Sequence, residues 1–128
     1  MGHPGKIWIV ADPRYQDHRG PDGHPERPER LLAVEAALSE FEDAIERRVP
    51  RVAEAHEIQR VHQPEHWSRL EQSAALPHVR LDPDTYTCRE SFEVARLAAG
   101  GTLDLACSIG AGEATCGIAA VRPPGHHA

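Results

Sequence analysis

Two short apolar runs, one near each end of the chain, constrain the fold more than any other feature. Residues 6–10 read KIWIV and residues 115–121 read TCGIAAV. The first run is rich in aromatic and β-branched side chains. The second is continuously apolar, which is typical of a strand buried on both faces in a parallel sheet. Because helical patterns separate the two runs, we predict an α/β fold, a layered domain with a parallel sheet and flanking helices.

The first helical pattern follows the first strand and its loop. Apolar side chains recur every three or four residues from Leu31 to Ile45. This spacing predicts an amphipathic helix that starts near Pro28, and we expect its apolar stripe to pack in the core. Residues 55–62 and 64–75 predict two shorter helices, the second of which starts with a proline and a glutamate.

A long, alanine-rich helix is predicted over residues 89–109. Thr87 and Glu90 match a capping box at its start, in which each side chain bonds the backbone of the other residue. Gly100 and Gly101 interrupt the apolar middle of this helix. A glycine inside a helix costs about 1 kcal/mol relative to alanine, so we expect another backbone to approach the helix there.

Three further segments lie between these elements. Residues 14–27 are polar and rich in glycine, proline and histidine, which indicates a loop after the first strand. Residues 51–55 predict a short edge strand, and residues 76–86 predict a loop with two prolines. Since no repeat, linker or low-complexity tract is found, we expect residues 1–128 to form one domain or part of one.

The charge balance and the cysteines indicate the setting and the partners of the chain. Its 128 residues include 14 basic and 20 acidic side chains, a net charge of −6. This argues against nucleic-acid binding, which usually needs a basic patch, and is compatible with a cationic partner. We expect no membrane partner, because no signal peptide and no apolar run near the ~18 residues of a membrane span are found. Cys88, Cys107 and Cys116 form no CxxC pair, which favours a reducing, cytoplasmic setting.

A stiff loop with two histidines follows the second apolar run. Residues 122–128 read RPPGHHA. The two prolines fix the backbone, Gly125 permits a tight turn, and His126 and His127 are thereby held at the carboxyl end of a strand. Functional loops of open α/β sheets leave at such ends. The residues alone leave three interpretations open: metal ligands, an acid–base pair, or two surface histidines.

The string AVRPPGHHA at residues 120–128 resembles the active-site histidine loop of zinc-dependent deacetylases of the histone deacetylase superfamily. The resemblance is greatest to the class II-like branch and the acetylpolyamine amidohydrolases. Weaker similarities precede it in the same order, at GHPERPERL (residues 23–31), at IQRVH (residues 58–62) and at LDPDTY (residues 81–86). The resemblance implies the N-terminal part of an arginase/deacetylase-type layered fold.

For the histidine loop, the resemblance implies specific roles. His127 would act as general base toward a water molecule and then as general acid toward the leaving amine. His126 would stabilise the tetrahedral intermediate by electrostatics and hydrogen bonding. Gly125 would belong to the substrate-binding residues of the same loop. The implied substrate is an acetylated lysine or polyamine.

Further roles are implied outside that loop. Asp84 resembles the aspartate at the rim that holds the backbone of an acyl-lysine substrate, with Asp82 as the competing assignment and a plain turn residue as the alternative for both. Arg30 resembles an arginine near an internal cavity, and a surface arginine in the first helical turn is its alternative. The loop before the first helix offers His18 and His24 but no cysteine, so we expect no structural zinc site there.

The metal ligands of the family lie in an Asp-x-His segment and a later aspartate, which this sequence does not reach. The resemblance thus implies Zn²⁺ for the full-length family, and we expect no metal ligand in this chain and no zinc bound by it alone. We expect the isolated chain to be inactive. An exposed sheet edge and apolar helix faces would favour self-association or a complementary chain. The alternative function is a truncated, non-catalytic interaction or oligomerisation module.

Overall fold

A computed structural model describes residues 5–127, with His127 described by its backbone alone. The strands are β1 (Ile7–Val10), β2 (Ile45–Arg48), β3 (His78–Asp82), β4 (Thr85–Cys88) and β5 (Gly117–Ala119). The α-helices are α1 (Glu29–Ser39), α2 (Ala55–Ile58), α3 (Pro64–Ser73) and α4 (Ser91–Gly110). Short 3-10 helices span Pro13–Asp17, Glu42–Ala44 and Gly125–His127.

The sheet that places the histidine loop is parallel, as the sequence predicts. Its strand order is β2-β1-β5, so the first strand of the chain lies in the centre. Ile7 is in register with Ile45, and Trp8 is in register with Gly117. The predicted α/β fold with a parallel sheet and flanking helices is therefore confirmed. The expectation that β5 is buried on both faces is wrong, because Ile118 is 47% exposed. Among the described residues β5 pairs only with β1, so its other edge is open.

Helix α4 packs against β1, β5 and the 3-10 helix that follows β1. Its Leu105 joins a buried cluster with Trp8, Val10 and Ala114. A second buried cluster joins the first half of α4 to Tyr15 of the 3-10 helix after β1. Each apolar side chain buried in this way contributes about 1.5–3 kcal/mol to folding. The core thus fixes the carboxyl ends of β1 and β5 against one helix.

The glycine pair of α4 is a close-approach point, as predicted. A Cβ atom on Gly100 would overlap the carbonyl oxygen of Arg51 and lie 2.8 Å from the backbone nitrogen of Ala53. That nitrogen donates a hydrogen bond of 2.8 Å to the carbonyl of Arg96. The predicted edge strand at residues 51–55 is therefore wrong, because this segment packs its backbone against α4 instead of pairing with a strand.

The amphipathic helix is shorter than its apolar pattern suggests. Helix α1 ends at Ser39, and Ile45 opens strand β2, where it is 6% exposed. No residue of α1 is buried, and Val34 remains 39% exposed. The expectation of core packing for the whole stripe is thus wrong among the described residues. The three-and-four spacing continued by chance across the end of the helix into a strand.

A β-hairpin replaces the predicted loop at residues 76–86. Strands β3 and β4 pair antiparallel, and the alternating exposure of β3 shows that only one of its faces is covered. Asp82 stabilises the tight turn, because its Oδ1 accepts from the backbone nitrogen of Asp84 and its Oδ2 accepts from Thr85 Oγ1, both at 2.8 Å. Pro83 lies in the turn, but the sequence does not predict the strands on either side of it.

The start of α4 also differs from the predicted capping box. Thr87 lies in β4, and its buried Oγ1 has no hydrogen-bond partner. The N-cap residue, Glu90, makes no side-chain capping bond either. Ser91, the first residue of α4, ties the helix to β4, because its Oγ accepts from the backbone nitrogen of Cys88 at 2.8 Å. The two shorter helices predicted at residues 55–62 and 64–75 are present as α2 and α3, each ending earlier than predicted.

The cysteines and the helices bear on the setting of the chain. All three cysteines are free thiols, with Cys88 buried and the other two exposed. Within residues 5–127, none of the helices combines the length and the apolar character that crossing a membrane requires. The cytoplasmic location and the extent of the domain stay predictions.

Candidate active site

A cleft of about 1240 Å³ opens between α3, α4, strand β4 and the loop that follows β5. The residues singled out from the sequence that line it are Arg30, Asp84, Gly125 and His126. They come from three separate parts of the chain, since Gly125 and His126 are neighbours, and the fold brings them to one concave surface. The side chain of His127, predicted as general base, lies outside the described residues.

The hairpin between β3 and β4 distinguishes the two candidate aspartates. Asp84 is exposed and lines the cleft. Asp82 engages both of its carboxylate oxygens in the turn. Asp84 is therefore the aspartate that is placed to meet a bound molecule. Arg30, in the first turn of α1, is also exposed and lines the cleft. Its position is therefore compatible both with an arginine that belongs to the cavity and with a surface arginine.

The histidine loop is anchored at the point where β5 ends. Ala120 donates its backbone hydrogen to Val10 at 2.8 Å, which extends the pairing with β1 beyond the strand. Val121 packs against both core clusters. Arg122 follows, joined to Pro123 by a cis peptide bond, and a single 3-10 turn then carries His126. The loop therefore leaves a fixed strand end, as the sequence predicts.

Arg122 is the most densely bonded side chain next to this loop, although it is only 3% exposed. Its Nε and Nη2 donate to the two carboxylate oxygens of Glu26 at 2.5 and 2.7 Å. Its Nη1 donates to the carbonyls of Tyr15 and His18 at 3.1 and 2.9 Å. Nη2 also donates to the Tyr86 hydroxyl at 3.3 Å. All five N–H groups of the guanidinium thus have acceptors.

Glu26 is held from a second side by Tyr86. The Tyr86 hydroxyl lies 2.7 Å from the Glu26 carbonyl and 2.8 Å from its Oε2, and its single proton serves one of them at a time. Burial alone would raise the pKa of Glu26, but hydrogen bonds from Arg122 and Tyr86 outweigh it and lower the pKa. Burial, assisted by the Glu26 carboxylate, raises the pKa of Tyr86 to about 12. At neutral pH, Glu26 is therefore ionised and Tyr86 is protonated.

His18 completes this buried network. Its ring stacks on Tyr86 with centroids 4.7 Å apart, and its Nδ1 lies 2.7 Å from Ser91 Oγ. Burial first, and the nearby charge of Arg122 second, lower its pKa to about 4. His18 is therefore a neutral, packed residue at pH 7. It ties the loop after β1 to the start of α4.

The remaining wall of the cleft is aromatic and apolar. Trp67 of α3 meets Phe92 of α4 edge to face, with centroids 5.0 Å apart. The rings of His62 and His66 stack 4.4 Å apart beside them. Burial and the neighbouring His62 lower the pKa of His66. This side of the cleft thus offers hydrophobic contact, imidazole groups and one fixed charge, the guanidinium of Arg96, which lies 5.2 Å from the centroid of the Trp67 ring.

No group of three or more histidine, cysteine, aspartate or glutamate side chains within the described part of the chain is arranged to hold a metal ion. The described residues therefore do not fit the zinc that the resemblance implies. We assign no catalytic step of this chain to a metal.

Sequence reasoning missed the Glu26–Arg122 network, although both residues stood inside the motifs. Glu26 lies in GHPERPERL and Arg122 in RPPGHHA. A signal did exist, since an arginine directly before a rigid functional loop is a candidate anchor. Its partner, however, could be identified only in the folded chain.

Comparison with known proteins places the chain in a family. The model of the histone deacetylase domain matches residues 24–128. Histone deacetylase 15 of Arabidopsis thaliana is 42% identical over 82% of this chain and 20% of its own length. Polyamine deacetylase HDAC10 of Homo sapiens is 36% identical over 84% of this chain and 17% of its own length. A probable deacetylase of Methanothermobacter thermautotrophicus is 39% identical over 94% of this chain and 35% of its own length.

A solved structure agrees with the sequence comparisons. The crystal structure of the HDA15 HD domain superimposes with a TM-score of 0.90 at 36% identity and covers 96% of this chain. This chain spans 37% of that domain and about a fifth of the length of histone deacetylase 15. Sequence and fold therefore agree over nearly all of its residues. The chain belongs to the histone deacetylase family.

Proposed function

We propose that this chain supplies the acid–base part of the active site of a deacetylase that hydrolyses acetylated amines, such as acetyl-lysine or acetylpolyamines. The observation that carries the proposal is the convergence of Arg30, Asp84, Gly125 and His126 on one cleft. They come from motifs that are far apart in the sequence, and their meeting supports a common site. The presence of a polyamine deacetylase among the relatives supports including polyamines.

Each residue has a proposed role. His127 is assigned as general base and then general acid by its position in the motif. His126 lines the cleft and would stabilise negative charge that develops on the substrate oxygen. The exposed carboxylate of Asp84, at the rim, suits a backbone N–H group of a substrate or the ammonium of a polyamine. The apolar wall of α3 and α4 would exclude water on one side.

The chain is proposed to work only with further residues. Zinc, implied for the full-length family, has no fitting site among the described residues. We therefore propose that the rest of the site comes from further polypeptide or from a complementary chain. The chain spans 37% of the solved domain, which supports this division.

The test is turnover of an acetyl-lysine and an acetylpolyamine probe in the presence of Zn²⁺. The isolated 128-residue chain is expected to be inactive. A chimera, in which this chain replaces the matching part of the HDA15 HD domain, is expected to be active because the two folds agree closely. A folded chimera without activity would contradict the proposal, and so would zinc-dependent turnover by the isolated chain.

A non-catalytic interaction module is the second candidate. Strand β5 pairs on one side only among the described residues, and the apolar residues of α1 are not buried. Open strand edges and apolar faces favour association with another chain. Light scattering at high concentration tests this function. Oligomers are expected if it is correct, and a strict monomer would exclude it.

A further inference from the structure

Arg122, which stands between β5 and the two histidines, forms an ion pair with Glu26 in which the arginine is buried and the carboxylate is partly buried. Arg122 points away from solvent, and its five donors join it to the loop after β1 and to β4. Breaking one partner of such a buried pair leaves the other charge without compensation. The position of Arg122 is therefore determined by its partners rather than by the strand alone.

The segment after Arg122 is stiff, so the position of Arg122 determines the position of the residues that follow it. Pro123 and Pro124 have fixed φ angles and cannot take up a displacement at the preceding residue as freely as other residues. The 3-10 turn that carries His126 follows directly. A shift of Arg122 is thus passed to Gly125 and His126.

Glu26 holds Arg122 but is itself held by other groups. Both of its carboxylate oxygens bond Arg122, and the Tyr86 hydroxyl lies within hydrogen-bond distance of Oε2. Tyr86 in turn stacks on His18, and a Cβ on Gly20 would overlap its ring. Although Glu26 lines the cleft, its oxygens are occupied. It is therefore poorly available to a bound molecule and well placed to orient its neighbour.

We propose that Glu26 is a positioning residue, which acts through Arg122 to fix where the His126 loop stands in the cleft. Its importance for catalysis rests on the proposed function. The positional effect itself does not, because it can be measured in the chain without any turnover.

The experiment compares backbone order in the histidine loop by ¹⁵N relaxation of the 128-residue chain. Glu26→Gln removes the charge and keeps the size and shape of the side chain. The matched control is Glu57→Gln, because Glu57 also forms a two-pronged pair with an arginine, Arg51, away from the loop. In the parent and in the control, we expect the amides of Gly125 and His126 to have order parameters near those of a rigid backbone, about 0.85.

In Glu26→Gln, these order parameters are expected to fall toward about 0.6, the flexible range. A mere change of electrostatic field would move the imidazole resonance of His126 and leave the order parameters unchanged. A folded Glu26→Gln chain with a rigid loop would overturn the proposal. If Glu26→Gln does not fold, Tyr86→Phe is measured instead. The order parameters of Gly125 and His126 should again fall, but by less, because only one hydroxyl is lost. Unchanged order parameters would overturn the proposal here too.

The result is separate from the test of function. A loosened loop in the chain would support the positioning role even if the chimera proved inactive. A rigid loop together with an active chimera would remove this role and leave the proposed function intact.

Discussion

Glu26 and Arg122 lie 96 residues apart in the sequence and form a two-pronged ion pair in which Arg122 is buried and Glu26 is partly buried. The contact joins a motif near the first helix to the motif that carries the two histidines. Both motifs support the family assignment, and the pair gives a physical reason why they occur in one chain. Each holds one charge that the other must neutralise.

Arg122→Lys is expected to destabilise the fold by about 2–3 kcal/mol, because lysine offers three donors instead of five and cannot bind a carboxylate in two-pronged geometry. Urea unfolding at pH 7 measures this loss. Arg51→Lys is the matched control, since Arg51 also pairs with a carboxylate through two nitrogens but is exposed. Equal losses in the two variants would contradict the importance of burial at Arg122.

Stability is expected to fall as the pH is lowered from about 6.5 to about 4. The pKa of His18 is lowered from 6.5 to about 4 in the folded chain, so the unfolded chain binds more protons in this window. The stabilisation is complete above 6.5 and lost progressively below it, by at most about 3 kcal/mol. Urea unfolding from pH 7 to pH 4 measures the loss.

His18→Asn should flatten this pH dependence, because asparagine does not titrate. If the free energy of unfolding of His18→Asn still fell between pH 6.5 and pH 4 as in the parent, the proton uptake would belong to another group. Glu26 acts in a lower window, because its pKa lies below 4.5 in the folded chain and its contribution is lost only as the pH falls through that lowered value.

Gly100→Ala is expected to lower the free energy of unfolding by about 1–3 kcal/mol, because the added Cβ would overlap the backbone at Arg51. Gly110→Ala in the same helix is the control, since nothing lies within 4 Å of its Cβ position. Alanine is the better helix former, so this control should be neutral or slightly stabilising. Thermal unfolding separates the two, and a neutral Gly100→Ala would mean that the segment at residues 51–53 can move away.

Thr87→Val is expected to stabilise the chain by about 1 kcal/mol. The Thr87 hydroxyl is buried without a partner, and valine has nearly the same shape without an unsatisfied group. Thr102→Val serves as the control, because the Thr102 hydroxyl donates to the Ala98 carbonyl at 2.8 Å. No gain is expected there. A loss of stability in Thr87→Val would indicate that the hydroxyl has a partner in solution.

The features that the sequence predicted correctly are those with a local cause. The apolar runs predicted the parallel sheet, and Gly100 with Gly101 predicted a close approach, since glycine in a helix otherwise has only a cost. Motif similarity predicted that Asp84 and His126 belong to a site, and both line one cleft. Their catalytic roles stay predictions.

The features that were missed depend on contacts between distant residues. The end of α1 could not be predicted, because Ile45 continued the helical spacing while pairing with Ile7 in the sheet. The hairpin was hidden because both strands are short and contain polar residues, and because β3 alternates between exposed and partly buried positions. The Glu26–Arg122 pair carries no periodic or spacing signal, since only the folded chain brings the two residues together.

The most direct test of the account is the kcat of the HDA15 chimera with His127→Ala. If His127 is the general base and acid, kcat for an acetyl-lysine probe should fall about 10²–10⁴-fold, the usual contribution of such a group. His56→Ala, at an exposed position, should retain the activity of the parent chimera. A folded His127→Ala chimera with a kcat close to that of the parent would contradict the claim that this chain carries the acid–base residue.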